Sequence, residues 1–219
     1  MVHQIPYHKN NTIQRGFAMK KHGLVFIAVS LVLFTECSIL GIKEKKGIEG
    51  AQTQAVTGKV TITYTLSRIS GRASNQYAIW IEDESGRFVR SLFVTDYMGR
   101  RQGWKVRQQS LVTWAKAADI ANTPQENIDA VSAATPQAGN QSLVWDLKDM
   151  TGKTVNAGVY VYRIEGSLLW ENTVLWTGNI RVGGAGETSQ ANVSYFPEGA
   201  DKLELTLITE VIAVYEPTP

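Results

Sequence analysis

The feature that most constrains this chain is a period-two alternation of apolar and hydroxyl side chains. In the stretch VTITYTL (60–66), every second residue is apolar and threonines stand between them. Because successive side chains of a strand point to opposite faces, this pattern predicts a β-strand with one buried face. Similar runs, separated by turn residues, predict further strands over 77–81, 88–95, 142–147, 159–165, 173–182 and 203–211.

Strands separated in this way by turn signals predict an all-β fold, an immunoglobulin-like antiparallel β-sandwich with a small helical insert. The sandwich is expected to occupy residues 58–216, a normal length for one domain. Its two sheets are expected to bury one set of alternating apolar residues together: Val60, Ile62, Ile79, Ile81, Val161, Leu205 and Leu207.

The stretch 96–141 interrupts the strands and has a helical period. Apolar residues recur there at i, i+3, i+4 and i+7, at Leu111, Trp114, Ala115 and Ala118. Further on, TPQE (123–126) resembles a threonine N-cap, a proline at the first helical position and a capping-box glutamate. The insert is therefore predicted to hold two short helices, the second of which runs into Val131.

The six tryptophans all lie in the predicted domain. Trp80 alternates out of phase with Ile79 and Ile81, so we expect it to face away from the sandwich core and to contact the insert. Core packing is the usual role of tryptophan in sandwiches. If Trp80, Trp170 and Trp176 faced solvent instead, they would form an aromatic platform for carbohydrate.

The N-terminal segment, residues 1–37, has the composition of a targeting signal. The apolar run 23–34 follows the basic start Met19-Lys20-Lys21. A helix of this length rises about 18 Å, too short for a hydrocarbon core of about 30 Å but typical of a signal peptide. We expect export, with translation starting at Met19 or with a long prefix before the signal. The polar, glycine-containing residues 38–57 are predicted to be a linker.

Cys37, the only cysteine, follows the apolar run directly. Its position resembles that of the lipidated cysteine of bacterial lipoproteins, whereas Glu36 departs from the small residue usual before the cleavage site. Two outcomes are therefore open. Cys37 carries a lipid, or it lies in a segment that is removed or that stays as an uncleaved anchor.

The residues after the signal restrict the possible chemistry. His3, His8 and His22 all precede Cys37, so the exported part contains no histidine. This excludes Ser-His-Asp and Cys-His nucleophilic sites and the common zinc sites. Residues 38–219 carry 18 basic and 19 acidic side chains, a net charge of −1. This balance gives no electrostatic reason to expect nucleic acid or an acidic membrane as a partner.

The stretch DAVSAATPQAG (129–139) is the candidate site. It resembles the Asp-x-x-Ser/Thr-Gly-Ala-Thr signal by which some exported bacterial proteins receive a covalent flavin, with Thr135 as the modified hydroxyl and Asp129 and Ser132 as the flanking signal residues. Ala133 replaces the glycine of that signal, and Pro136 restricts Thr135 to extended geometry. We therefore expect no cofactor, with flavin mononucleotide (FMN) as the alternative, and we expect Asp129 to hold the loop by accepting backbone N–H groups near Ser132.

Several spaced motifs resemble the domain of unknown function 2271 family of predicted periplasmic proteins. They are NQYAIWIED (75–83) with FVRSLFVT (88–95), the stretch Gly99–Trp104, Ala134-Thr135-Pro136, and WDLKD (145–149). The resemblance covers roughly residues 58–183 and implies an exported protein. A second stretch, Val144–Gly166, is similar to the immunoglobulin-like domain of flagellar hook-capping proteins and indicates fold more than function.

These observations predict an exported, non-enzymatic binding or assembly module of the bacterial envelope, periplasmic or membrane-anchored. Its partner is an unidentified envelope protein or ligand. We expect no nucleic-acid partner and no metal, and membrane contact only through an N-terminal lipid or an uncleaved signal. The alternatives are a flavin carrier or redox partner modified at Thr135, and a carbohydrate-binding module.

The lipoprotein hypothesis predicts that Cys37→Ser moves the protein from the membrane fraction to the soluble fraction. Each buried CH₂ of an acyl chain contributes about 0.8 kcal/mol, so only a lipid with more than one chain anchors a domain stably. Fractionation of the host envelope, followed by immunoblotting, measures the shift. An unchanged distribution would remove the lipid anchor and favour an uncleaved signal or a soluble product.

Overall fold

A computed structural model describes residues 56–71 and 75–218. The predicted targeting segment, Cys37 and nearly all of the predicted linker lie outside these ranges. The strands and helices follow in chain order as β1 Lys59–Leu66, β2 Tyr77–Asp83, β3 Phe88–Thr95, α1 Gly103–Val106, α2 Val112–Ala117, α3 Gln125–Asp129, β4 Ser132–Ala133, β5 Gly139–Trp145, β6 Gly158–Leu169, β7 Asn172–Val182, β8 Glu187–Gln190, β9 Asn192–Phe196 and β10 Ile208–Glu216.

The strands form two sheets, and the predicted all-β sandwich class is confirmed. One sheet has the order β5-β1-β10-β8, and the other has the order β4-β3-β2-β6-β7-β9. Neighbouring strands are antiparallel, apart from the short β4, which pairs in parallel with the end of β3. None of the helices among the described residues is long and apolar enough to cross a membrane.

The main core lies between the two sheets. Five of the residues predicted to be buried together share this core, namely Val60, Ile62, Ile79, Ile81 and Leu207, while Leu205 is partly buried against it. The prediction for Val161 is wrong. The β6 residues that face the core include Tyr160, Tyr162 and Ile164, so the pleat turns Val161 to the opposite face.

A second apolar cluster lies on the other face of the larger sheet. Trp80 is fully buried there against the insert residues Leu111, Trp114, Ala118 and Ile128. The prediction that Trp80 faces away from the core and contacts the insert is confirmed. Strand β2 is buried on both faces, which explains why its sequence contains apolar residues in both phases.

The insert differs in detail from its prediction. Helix α2 coincides with the helical spacing around Trp114, but α1 was not predicted. Thr123 does not cap α3, which has Pro124 at its N-cap position and no side-chain cap. The Thr123 hydroxyl donates to the carbonyls of Ala118 (2.8 Å) and Asp119 (3.2 Å) that follow α2. Helix α3 ends at Asp129, two residues earlier than predicted.

The last strand also begins later than its alternation predicted. Residues Ala200–Leu203 form a short 3₁₀ helix, and β10 starts only at Ile208. Leu203 is 41% exposed and Leu205 is only partly buried against the core, so full burial in the sandwich begins at Leu207.

Candidate functional site

The candidate site lies on the outer face of the larger sheet, beneath the insert. A series of side-chain hydrogen bonds crosses this face from β2 to β7. The indole Nε1 of Trp80 donates to Glu82 (2.7 Å), and Arg163 Nε donates to the other oxygen of that carboxylate (3.0 Å). Arg163 Nη1 continues to the Thr177 hydroxyl (3.1 Å). Glu82 is buried and forms an ion pair with Arg163, so this carboxylate has a structural role.

A second carboxylate fixes the insert to the sheet. The side chain of Glu165 on β6 accepts the backbone N–H groups of Thr113 (3.1 Å) and Trp114 (2.8 Å) in the first turn of α2. These N–H groups have no partner within the helix. Burial raises the pKa of the Glu165 carboxyl above its ordinary value, and the hydrogen bonds from Trp114 and Thr113 offset part of that rise.

Hydroxyl groups complete the contact between insert and sheet. The indole Nε1 of Trp114 donates to the Ser91 hydroxyl on β3 (2.8 Å). The hydroxyls of Ser110 and Ser167 bond to each other directly before α2. The position of α2 is therefore set by bonds to strands β3 and β6 in addition to apolar packing.

A pocket remains between α2, α3 and strand β3. Its volume is about 220 Å³. The walls are mostly apolar and include Phe88, Ser91, Trp114, Ala118, Ile128 and Val131. The side chain of Asn127 also lines it and forms no hydrogen bond to another of the described residues. Ser91 and Thr123 also line the pocket, but their hydroxyls are bonded to Trp114 Nε1 and to the carbonyls after α2. The pocket therefore combines an aromatic wall with the Asn127 amide, which can both donate and accept hydrogen bonds.

The stretch DAVSAATP begins at one wall of this pocket and then leaves it. Ser132 is buried in β4, where its hydroxyl donates to the carbonyl of Ile128 (2.7 Å). Gly99 makes room for it, since a Cβ at that position would overlap the Ser132 hydroxyl. The guanidinium of Arg100 donates to the carbonyl of Ser132 (2.9 Å) and bonds to the carboxylate of Asp96 (2.9 Å).

The role predicted for Asp129 is wrong. Its carboxylate accepts the side-chain amide of Gln125 one turn earlier in α3 (2.7 Å), instead of backbone N–H groups near Ser132. Pairing of β4 with β3 holds this loop, because the N–H groups of Val94 and Asp96 donate to the carbonyls of Val131 (2.9 Å) and Ala133 (2.7 Å). With its backbone groups paired in this way, the loop needs no Asx turn.

Thr135 follows β4 in a stretch without regular secondary structure and is partly exposed. Ala133, which stands in place of the glycine of the flavin signal, lies in the strand and is exposed, so its methyl group does not crowd the turn. Its φ is not positive, and a glycine is therefore not required there for backbone geometry. Asp129 therefore ends α3 and Ser132 begins β4 three residues later, whereas Thr135 lies after β4, outside both elements.

Two equivalent hairpin turns frame a separate open groove of about 500 Å³. In one turn Asp83 accepts from Ser85 and from the N–H of Arg87, and in the other Asp149 accepts from Thr151 and from the N–H of Lys153. For Asp83, burial would raise the pKa, but these bonds outweigh it and hold the pKa below its ordinary value. Both carboxylates therefore accept hydrogen bonds that stabilise their own turns.

The tryptophans do not line up as one exposed platform. Trp80 is fully buried, and Trp176 is partly buried with its Nε1 donating to the carbonyl of Ile208 (3.1 Å). Trp170, in the turn between β6 and β7, is 52% exposed. The carbohydrate-binding alternative therefore depends on Trp170.

Sequence reasoning missed the polar groups that hold the insert. Arg163, Glu165 and Ser167 alternate with apolar residues along β6, and this pattern ordinarily indicates a solvated face. The one available signal was Trp80 on the neighbouring strand, which had already predicted that this face is covered. In the described part of the chain, no three histidine, cysteine, aspartate or glutamate side chains are grouped to hold a metal ion.

The fold and the site together define a β-sandwich domain whose outer sheet face is covered by a helical insert. The sequence profile of a family described as predicted periplasmic proteins, domain of unknown function 2271, matches residues 57–195. The chain belongs to this family. No curated protein and no solved structure matches the chain, and the similarity to flagellar hook-capping proteins stays a prediction.

The buried carboxylate gives a pH-dependent prediction. Because the pKa of Glu165 is raised on folding, its contribution to stability is fully present below about pH 4.5, its ordinary pKa, and is lost as pH rises through the folded-state value. We expect the unfolding free energy of the native protein, minus that of Glu165→Gln, to fall across this window. Urea denaturation of both proteins at a series of pH values measures the difference. A difference that stays flat or grows with pH would contradict the assignment.

Proposed function

We propose that this chain is an exported, non-enzymatic binding module of the bacterial envelope, and that its ligand site is the pocket beneath the insert. The observation that carries the proposal is the pocket itself, with an aromatic wall at Trp114 and a polar group at Asn127. Ligand sites are typically concave and mostly apolar, with a few polar groups that fix orientation.

The dimensions and lining of the pocket favour a small planar ligand. Cavities of about 150 Å³ lined by aliphatic and aromatic side chains bind benzene, and this pocket is about 220 Å³. A bicyclic aromatic group fits such a space and can pack against the ring of Trp114. The amide of Asn127 would then bond to one polar atom at the edge of the ligand.

The state of the acids supports a binding role over catalysis. A general acid or base must reach the substrate and exchange a proton with it. Glu82 is bonded to Trp80 and Arg163, and Glu165 is bonded to two backbone N–H groups. Neither carboxylate lines the pocket. The exported residues also contain no histidine.

Filling the pocket is expected to abolish binding of a bicyclic probe. Ala118 lines the pocket and Ala121, just beyond α2, is exposed and does not. In the native protein, titration with indole is expected to shift the Trp114 indole N–H resonance in ¹H–¹⁵N NMR spectra. Ala118→Leu is expected to weaken this response at least about tenfold, because the added methyl groups occupy the site, whereas the control Ala121→Leu leaves it unchanged.

Two results would count against the pocket as the site. One is an equal NMR response to indole in Ala118→Leu and Ala121→Leu. The other is an indole response confined to residues outside α2, α3 and β3. The unfolding transition of each variant, followed by circular dichroism, checks that Ala118→Leu still folds.

The flavin-carrier alternative has one favourable observation. Thr135 is partly exposed, lies outside regular structure and forms no hydrogen bond through its hydroxyl to another described residue. An FMN group joined through its phosphate to this hydroxyl would extend from a loop whose other end lines the aromatic pocket. Bound FMN would supply one- and two-electron redox chemistry, and Arg100 would hold the strand that precedes the attachment point.

We expect Thr135 to be unmodified, because Pro136 stiffens the residue that a transferase would have to reach. The measurement is the intact mass and visible absorbance of protein isolated from its native host. An FMN-sized mass increment that is lost in Thr135→Ala would establish the alternative, provided that it is kept in the control Ser142→Ala, which removes an exposed hydroxyl from β5.

A further inference from the structure

The domain has a net charge near zero, but its charged residues are unevenly distributed. The segment 97–118, which contains α1 and α2, carries five basic residues and no acidic residue. The remaining described residues carry 9 basic and 17 acidic side chains. The segment 97–118 is therefore a positive part of the insert on an otherwise negative domain.

Part of this positive charge is neutralised locally. Asp96 binds Arg100 and Arg101, at 2.9 and 2.7 Å. Lys105 and Lys116 are exposed, and neither takes part in an ion pair among the residues described. The nearest acid after α2 in sequence, Asp119, accepts the side-chain amide of Asn122. Lys105 Nζ donates to the uncharged side-chain oxygen of Gln102 (2.6 Å), which leaves its charge unneutralised, so the charges of both lysines stay available to an external anion.

Exposed apolar side chains accompany these two lysines. Val106, next to Lys105, is 78% exposed, and Val112, one helical turn before Lys116, is 50% exposed. The ammonium of Lys105 lies 5.1 Å from the centroid of the Trp104 ring. A turn closed by the N–H of Ser110 and the carbonyl of Arg107 (3.0 Å) joins α1 to α2 and limits the separation of the two valines.

We propose that Lys105, Val106, Val112 and Lys116 form a docking face for an anionic phospholipid surface. Lysine ammonium groups are attracted to anionic headgroups, exposed apolar side chains enter the headgroup boundary, and a tryptophan near that boundary is favourable. The acidic remainder of the domain is repelled by the same surface, so the charges also orient the domain with the segment 97–118 towards the lipid.

This face is distinct from the ligand pocket and from any N-terminal anchor. Lys105 and Val106 belong to α1, which does not line the pocket. Binding through so few groups is weak and sensitive to salt. It therefore suits a domain that is already confined near a membrane, and its effect there is to set orientation.

The test is flotation of the full chain with vesicles of phosphatidylcholine, with or without phosphatidylglycerol. We expect Lys105→Gln combined with Lys116→Gln to weaken binding to the phosphatidylglycerol vesicles, roughly fivefold for each lysine at low salt, with a smaller difference at high salt. The control combines Lys153→Gln with Lys202→Gln, which removes the same charge from exposed positions outside the insert and is expected to change binding less than about twofold.

A second pair of variants tests the apolar contribution. Val112→Ser is expected to weaken binding, whereas Val144→Ser, at a valine of equal exposure (51%) on β5, is expected to leave it unchanged. Equal losses in test and control variants would overturn the proposal. So would equal binding to both kinds of vesicle, because that result assigns the affinity to the N-terminal segment, which all the variants retain.

Discussion

The structure depends on the contact between the Glu165 carboxylate and the first turn of α2. A buried carboxylate is costly unless its oxygens accept hydrogen bonds, and a buried helix start is costly unless its N–H groups are accepted. Each group offsets part of the cost of the other, at distances of 2.8 and 3.1 Å. Leaving either side unpaired would cost about 1–3 kcal/mol for each group. These hydrogen bonds fix α2 so that the Trp114 indole reaches the Ser91 hydroxyl. Held there, Trp114 forms one wall of the pocket.

The sandwich could be predicted because alternation is a local property of the chain. The strand around Val60 and the outward phase of Trp80 follow from which side chains alternate, and both agree with the structure. Alternation also has a limit, since it separates two faces of a strand without showing which of them is covered. On β6 the tyrosines and not Val161 face the core, because a tyrosine ring can fill an interior while its hydroxyl reaches a carbonyl or a hydroxyl, as Tyr162 does with Ser189.

The site could be predicted less well because its bonds join residues far apart in sequence. Thr123 satisfies the pattern of an N-cap, but α3 starts one residue later with Pro124 as its N-cap, and the Thr123 hydroxyl donates to two carbonyls after α2. Ser132 and Asp129 belong to a short motif that can be read without the rest of the chain. Their neighbours, Gly99 and Arg100, come from a loop about thirty residues earlier. Only the fold shows that a glycine–arginine pair shapes the stretch DAVSAATP.

The short strand β4 has a consequence for assembly. Strand β3 would otherwise be an edge strand with unpaired backbone N–H and C=O groups, and such edges can pair with strands of other chains. Here the N–H groups of Val94 and Asp96 are taken by β4, and the carbonyl of Val89 accepts the N–H of Met150. This edge is therefore covered at its two ends, and β9 forms the opposite edge of the larger sheet. The uncharged residues of β9 are followed at once by Pro197 and Glu198, two residue types that discourage continuation of a sheet.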